Sequence, residues 1–301
     1  MLEKNKPVYQ FINKMSYWLL LLIRKRPKKI HKEELSPIWV TGMFRSGTSL
    51  TTQILATLEV DLGPDDHLLK AKGSRRNLNP NGFFENYIFM DWSLKVFLQL
   101  DSWGHEPPTL KQVREYSQTI DFKNFAHHSI VDIHDDRISN RNKVGALRKY
   151  SPENFDQYLQ ECFSAPMAIK NPHFALIYPL LLKQWPKSKF LVVFRNPDDT
   201  IASAKSVTPT ADYDLYFDYY SRILLDEDVK AVYISYEKLV SNPAKSIKAL
   251  VAEFKLDDDN LSSAADLIDH NQSKSTNSEK GNWPQQIVDL YAEMNERAIN
   301  K

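Results

Sequence analysis

Glycines at 42 and 47 bracket the tetrapeptide Met43-Phe44-Arg45-Ser46. The apolar run Ile38-Trp39-Val40 precedes them, and Leu50, Ile54, Leu55 and Leu58 follow at helical spacing, so the segment reads strand, loop, helix. This order constrains the fold strongly, because it sets the first turn of a helix at the end of a buried strand, where backbone N–H groups attract an oxyanion. Only eight glycines occur in 301 residues, and two of them hold the fixed positions of this loop, which argues against chance spacing. A triphosphate-binding loop continues with lysine and a hydroxyl residue, whereas here Thr48 and Ser49 follow Gly47 and the positive charge sits at Arg45. The anion is therefore expected to be gripped differently from the triphosphate of a kinase. On this segment alone a second reading stays open, an ordinary strand-to-helix turn in which Ser46 caps the helix.

A second segment has the same logic. Phe190-Leu191-Val192-Val193-Phe194 is a continuous apolar run of the kind found in buried parallel strands, and it stops at Arg195-Asn196-Pro197. Pro197 and the acidic pair Asp198-Asp199 suit the first turn of a helix, with Ser203 about two turns in. A guanidinium at the strand end and a hydroxyl on the next helix can bracket one phosphate. The plainer reading of Arg195 is a structural ion-pair partner.

Together the two segments resemble the P-loop sulfotransferases, which take a sulfuryl group from 3′-phosphoadenosine 5′-phosphosulfate (PAPS). Phe44-Arg45-Ser46-Gly47-Thr48-Ser49-Leu50 is similar to the family's 5′-phosphosulfate loop, with Phe44 at a position that is commonly proline. Phe194-Arg195-Asn196-Pro197 with Ser203 is similar to its 3′-phosphate site. Looser echoes are Ile169-Lys170-Asn171-Pro172, Ser235-Tyr236-Glu237-Lys238-Leu239 and Lys280-Gly281-Asn282-Trp283, so the resemblance runs from about residue 38 to about residue 290. It implies that Arg45, Ser46, Gly47, Thr48 and Ser49 hold the phosphosulfate, that Arg195 and Ser203 seat the 3′-phosphate, and that Tyr236, Lys280 and Gly281 help bind the nucleotide. It also implies that PAPS is a co-substrate and that no metal is required.

Sulfuryl transfer to a hydroxyl needs a base, since a proton leaves as the new sulfur–oxygen bond forms. Glu85 is the candidate, in Asn79-Pro80-Asn81-Gly82-Phe83-Phe84-Glu85, a stretch that resembles a segment of prokaryotic-type members whose glutamate faces the donor. The competing reading makes Glu85 a favourable charge on a helix that starts near Phe83. Lys170 follows the apolar Met167-Ala168-Ile169 and stands at another expected strand end, either to neutralise the transferring group or as a solvated loop lysine. His173 is an alternative base. His127, His128 and His134 with Asp132, Asp135 and Asp136 match no recognised metal-binding spacing.

Ile38–Thr41, 167–169, Phe190–Phe194 and Ala231–Ser235 are the expected strands, with helical runs between them, which predicts an α/β fold: a mostly parallel sheet, P-loop NTPase-like, helices on both faces. Residues 36–301 are expected to form this domain, with a helical insertion at about 60–165 walling the acceptor side and including helices from Phe83 to about Leu100 and from Pro152 to Phe163. A net charge of +1 argues against nucleic acid as a partner. The single cysteine, Cys162, excludes an internal disulfide, fits a cytoplasmic protein, and reads as a small buried hydrophobe on a helix opened by Ser151-Pro152.

Residues 1–35 are set apart by Tyr17-Trp18-Leu19-Leu20-Leu21-Leu22-Ile23 followed by Arg24-Lys25-Arg26-Pro27-Lys28-Lys29. The apolar run is too short to span a bilayer. Residues 8–29 can lie on an anionic membrane surface, or form a helix packed on the rest of the chain. The expected activity is transfer of a sulfuryl group to a hydroxyl of a carbohydrate or small molecule. The rivals are a nucleotide kinase or NTPase, for which Val131-Asp132 is the nearest imitation of a magnesium-binding strand end, and a non-catalytic membrane-associated protein with a nucleotide pocket.

Overall fold

The computed structural model describes residues 35–69, 82–119, 150, 155–268 and 281–301. The expected features at residues 8–29, at 127–136 and at Lys280, and the proposed helix opening at Ser151-Pro152, lie outside these.

Among the described residues four strands form one parallel sheet, β1 (Ile38–Thr41), β2 (Ala168–Lys170), β3 (Lys189–Phe194) and β4 (Ala231–Ser235), in the order β2-β1-β3-β4. Register pairs Val40 with Lys170 across β1 and β2, Thr41 with Val192 across β1 and β3, and Phe194 with Ser235 across β3 and β4. Because every pair is parallel, all four carboxyl ends lie on one edge of the sheet, the edge where ligands of open α/β folds bind.

Eleven α-helices are present among the described residues. In chain order they are α1 (Thr48–Thr57), α2 (Tyr87–Gln99), α3 (Leu110–Thr119), α4 (Phe155–Cys162), α5 (Phe174–Gln184), α6 (Pro197–Ala204), α7 (Tyr213–Leu224), α8 (Tyr236–Ser241), α9 (Pro243–Phe254), α10 (Leu261–Asp266) and α11 (Gln285–Arg297). Strand side chains alternate between two cores. Trp39, Phe190, Val192 and Phe194 enter one core, built with α2, α4, α5, α7 and α11, while Ile38, Val40, Leu191 and Val193 enter the other, built with α1, α8, α9 and α10. Both faces of each strand are thus buried, which is why the strands read as unbroken apolar runs. Around the fully buried Trp39, the rings of Phe89, Phe174 and Trp185 lie with centroids 5.1–5.5 Å away, edge-on or tilted.

Two local expectations need correction. The helix expected near Phe83 begins at Tyr87, capped by the Asn86 side chain, which accepts from the Ile88 and Phe89 amides. Phe84 is left-handed, at φ 60°, and Glu85 forms a parallel bridge with Lys170, so this stretch leaves helical geometry to meet the sheet. Glu85 is therefore no part of that helix. Cys162 is only half-buried, and its thiol donates to the Tyr150 hydroxyl at 3.4 Å.

Candidate functional site

The loop after β1 is shaped by two left-handed residues, Arg45 at φ 74° and Gly47 at φ 99°. Gly47 caps α1 with no side-chain hydrogen bond, so the first-turn N–H groups, which have no intrahelical acceptor, open onto the end of the sheet. A methyl group at Gly47 would fall 2.3 Å from the Tyr236 ring, so that ring packs directly on the loop. Ser46 is not the cap. Its hydroxyl donates to the Val193 carbonyl at 3.0 Å and its amide donates to the Met43 carbonyl at 3.2 Å, fastening the loop to β3. Tyr220 adds a second fastening, accepting from the Met43 amide and donating to Val193, each at 3.1 Å.

At the end of β2, Lys170 is buried, which corrects the solvated-loop reading. Its ammonium donates to the Phe83 carbonyl at 2.9 Å and to the Ser49 hydroxyl at 3.3 Å, and it forms an ion pair with Glu85 Oε1. Ser49 in turn donates to the Phe83 carbonyl at 3.3 Å. Burial pulls the Lys170 pKa below the usual lysine value, against the attraction of Glu85 and with the repulsion of Arg45. The second carboxylate oxygen of Glu85, Oε2, is buried and has no hydrogen-bond partner. A buried carboxylate oxygen left over beside a helix N-terminus is a place for a proton or a ligand donor.

At the end of β3, Arg195 pairs with Asp199 at 3.3 Å and lies over the Tyr236 ring, 5.0 Å from its centroid. The plain ion-pair reading is thus correct as far as it goes, and the partner is one turn along α6. The Tyr216 hydroxyl donates to the Arg195 carbonyl at 2.8 Å, and the Asn196 amide donates to Glu237 at 2.6 Å. Asn196 caps α6 by accepting from the Asp199 amide, and Pro197 stands in the first turn, where the sequence pattern places it. Ser203 is brought to the loop: Arg45 Nε donates to its hydroxyl at 3.0 Å. Burial and then the nearby Arg195 guanidinium hold the Arg45 pKa below its ordinary value. Two guanidinium groups therefore share one region of low solvation. Gly281 lies against the carboxylate of Asp198, in the first turn of α6.

A profile of the sulfotransferase family matches residues 37–260, a span that includes the loop, Glu85, Lys170, Arg195, Ser203 and Tyr236. The chain belongs to the sulfotransferase family. Two solved sulfotransferases are similar to it. STF9 from Mycobacterium avium is 12% identical with a TM-score of 0.45, the alignment covering 94% of this chain and 80% of that one. STF1 from Mycobacterium tuberculosis H37Rv is 12% identical with a TM-score of 0.38, covering 96% and 81%. No curated protein matches the chain. No helix among the described residues is long and apolar enough to cross a membrane.

In this sulfotransferase each of the four strands described places candidate site residues at its carboxyl end: the Gly42–Ser49 loop after β1, Lys170 on β2, Arg195 after β3 and Tyr236 after β4. His173, beyond β2, packs its ring on Phe97 at 5.0 Å and against Gly104, where a methyl group would fall 2.6 Å from Nε2. Its Nδ1 is buried without a hydrogen-bond partner, and burial followed by the charge of Lys170 pushes its pKa down to about 4. Residues that sequence reasoning missed are those that hold others in place: Tyr216, Tyr220 and Glu237. Tyrosines on an amphipathic helix read as core, and only their hydroxyl partners, backbone groups of distant segments, reveal more. Glu237 lies inside a loose motif, but nothing in its spacing points to the Asn196 amide.

Proposed function

We propose that this sulfotransferase moves a sulfuryl group from PAPS to a hydroxyl of a carbohydrate or small-molecule acceptor. The observation that carries the reading is the convergence of Arg45, Lys170 and Arg195 on the uncapped N-terminus of α1, with an orphaned carboxylate oxygen, Glu85 Oε2, buried beside Lys170. That set suits a donor carrying several negative charges, and it supplies a base.

In this reading the amides of Gly47, Thr48 and Ser49 and the Arg45 guanidinium hold the phosphosulfate, while Arg195 and Ser203 seat the 3′-phosphate beside the Tyr236 ring. Glu85 Oε2 takes the acceptor's proton as the acceptor oxygen bonds to sulfur. The bond between sulfur and the bridging oxygen breaks, and its electron pair leaves with 3′-phosphoadenosine 5′-phosphate. Arg45 and the helix N-terminus stabilise the charge that grows on that departing phosphate, and Lys170 balances charge on the sulfuryl oxygens. Positioning and preorganised charge do most of the work, as in phosphoryl transfer.

Two measurements test this. 3′-Phosphoadenosine 5′-phosphate without magnesium should raise the melting temperature, by about 4 °C at a hundredfold excess over its Kd. Labelled PAPS offered with a panel of hydroxylated acceptors should yield a sulfated product. Strong stabilisation by ATP with magnesium, and none by the bisphosphate, would overturn the reading in favour of a kinase or NTPase.

A further inference from the structure

A carboxylate close to a site for a phosphate dianion weakens that site electrostatically unless it does something else. Asp198 stands three residues from Arg195, in the first turn of α6. Its Oδ2 accepts from the indole Nε1 of Trp283 at 2.8 Å, and its Oδ1 accepts from the hydroxyl of Tyr213, the first residue of α7. Gly281 presses on the same carboxylate: a methyl group there would lie 2.6 Å from Oδ2, so no larger residue fits without moving the pair apart. The Trp283 ring then packs edge-on against Tyr291 at 5.3 Å, and Tyr291 against Phe194 at 5.7 Å, the residue immediately before Arg195. The start of α6, the start of α7 and the C-terminal arm thus meet at one side chain. Burial and the bond to Asp198 push the Tyr213 pKa up to about 12, so at neutral pH its hydroxyl is a donor.

Resting on the nucleotide reading above, we propose that Asp198 is a positioning residue, clamping Trp283 and Tyr213 onto the first turn of α6 so that Arg195 and Ser203 are held at the spacing a 3′-phosphate requires. Arg195 lies just before this turn and Ser203 at its far end, so rotating α6 about its axis moves the two groups in different directions. Tyr216 and Glu237 hold the backbone ahead of the helix, at Arg195 and Asn196. Asp198 adds the hold on the helix itself. The plainer role, an acid favourable at a helix N-terminus, would contribute stability but would not distinguish one nucleotide from another.

Titration calorimetry on the full chain separates these roles, with 3′-phosphoadenosine 5′-phosphate and adenosine 5′-phosphate as paired probes. The wild-type protein should prefer the bisphosphate. Asp198→Ala should weaken the bisphosphate roughly tenfold, the scale of one lost hydrogen-bonded constraint, and leave the monophosphate within about twofold. Trp283→Phe, which keeps the ring packing and removes the donor, should lower the same ratio, and should Asp198→Ala not fold, this variant decides. Asp198→Asn, which retains an acceptor for the indole, should keep most of the preference. A ratio unchanged in Asp198→Ala and Trp283→Phe, whatever happens to melting temperature, would overturn the clamp while leaving the nucleotide site standing. A wild-type protein that does not distinguish the two probes would overturn both.

Discussion

Arg45 Nε donates to the Ser203 hydroxyl across 3.0 Å, joining the loop after the first strand to a helix 158 positions further along the chain. In the proposed function these residues serve opposite ends of one nucleotide, and their bond sets the separation of the two phosphate subsites in the resting protein.

Their contributions to catalysis should differ. In that proposal Arg45 faces charge that grows in the transition state, so Arg45→Ala is expected to lower kcat by about 10²–10³. Arg45→Lys should recover little, because the lysine ammonium cannot offer both the Nε bond to Ser203 and the forked donors of a guanidinium. Ser203→Ala should raise the KM for PAPS while leaving kcat within a few-fold. Steady-state rates with labelled PAPS decide the matter: equal effects of both alanine variants, confined to donor affinity, would reject the division of roles.

The ion pair of Lys170 with Glu85 is buried, with side chains 3% and 12% exposed, and removing one member strands the other's charge. Lys170→Met should therefore cost about 3–5 kcal/mol in denaturant unfolding. The double variant Lys170→Met/Glu85→Leu should regain much of that stability without regaining turnover, since apolar pairs replace buried ion pairs at little cost. Glu85→Gln, which keeps an acceptor for Lys170 but removes its counter-charge, should be destabilised by a comparable amount, and its folded fraction should lose about 10²–10⁴ in kcat through loss of the proposed base. Full turnover in Glu85→Gln would remove Glu85 from proton transfer.

His173 predicts how stability varies with acidity. Its folded-state pKa, about 4, lies below the ordinary value of 6.5, so between these values the unfolded chain binds a proton that the native ring refuses. The contribution of this residue is present above pH 6.5 and is lost as pH falls through 4. Unfolding free energies at pH 7 and pH 4.5 should fall less steeply for His173→Asn than for the wild type. Parallel declines would mean that the ring is protonated in the native state.

Much of this could be read along the chain. The four strands announced themselves because a parallel strand buried on both faces is a run of apolar residues, as in Phe190–Phe194. The start of α6 was equally legible, since Pro197 and two acids mark a helix N-terminus by local chemistry alone. Glu85 was a different case. Its own neighbours allowed a helix, and the left-handed Phe84 with the bridge to Lys170 turned it toward the sheet. Ser46 likewise has the chemistry of a cap, yet the Val193 carbonyl, on a strand 147 positions away, claims its hydroxyl.

Residue order alone determined the strands, the glycine-bounded loop and the kinds of charge available, because backbone preference and burial periodicity act between neighbours. The sheet order β2-β1-β3-β4, the reach of Arg45 to Ser203 and the burial of Lys170 against Glu85 were decided only by tertiary structure. They depend on which distant segments share a face once the cores close, and no local rule carries that information.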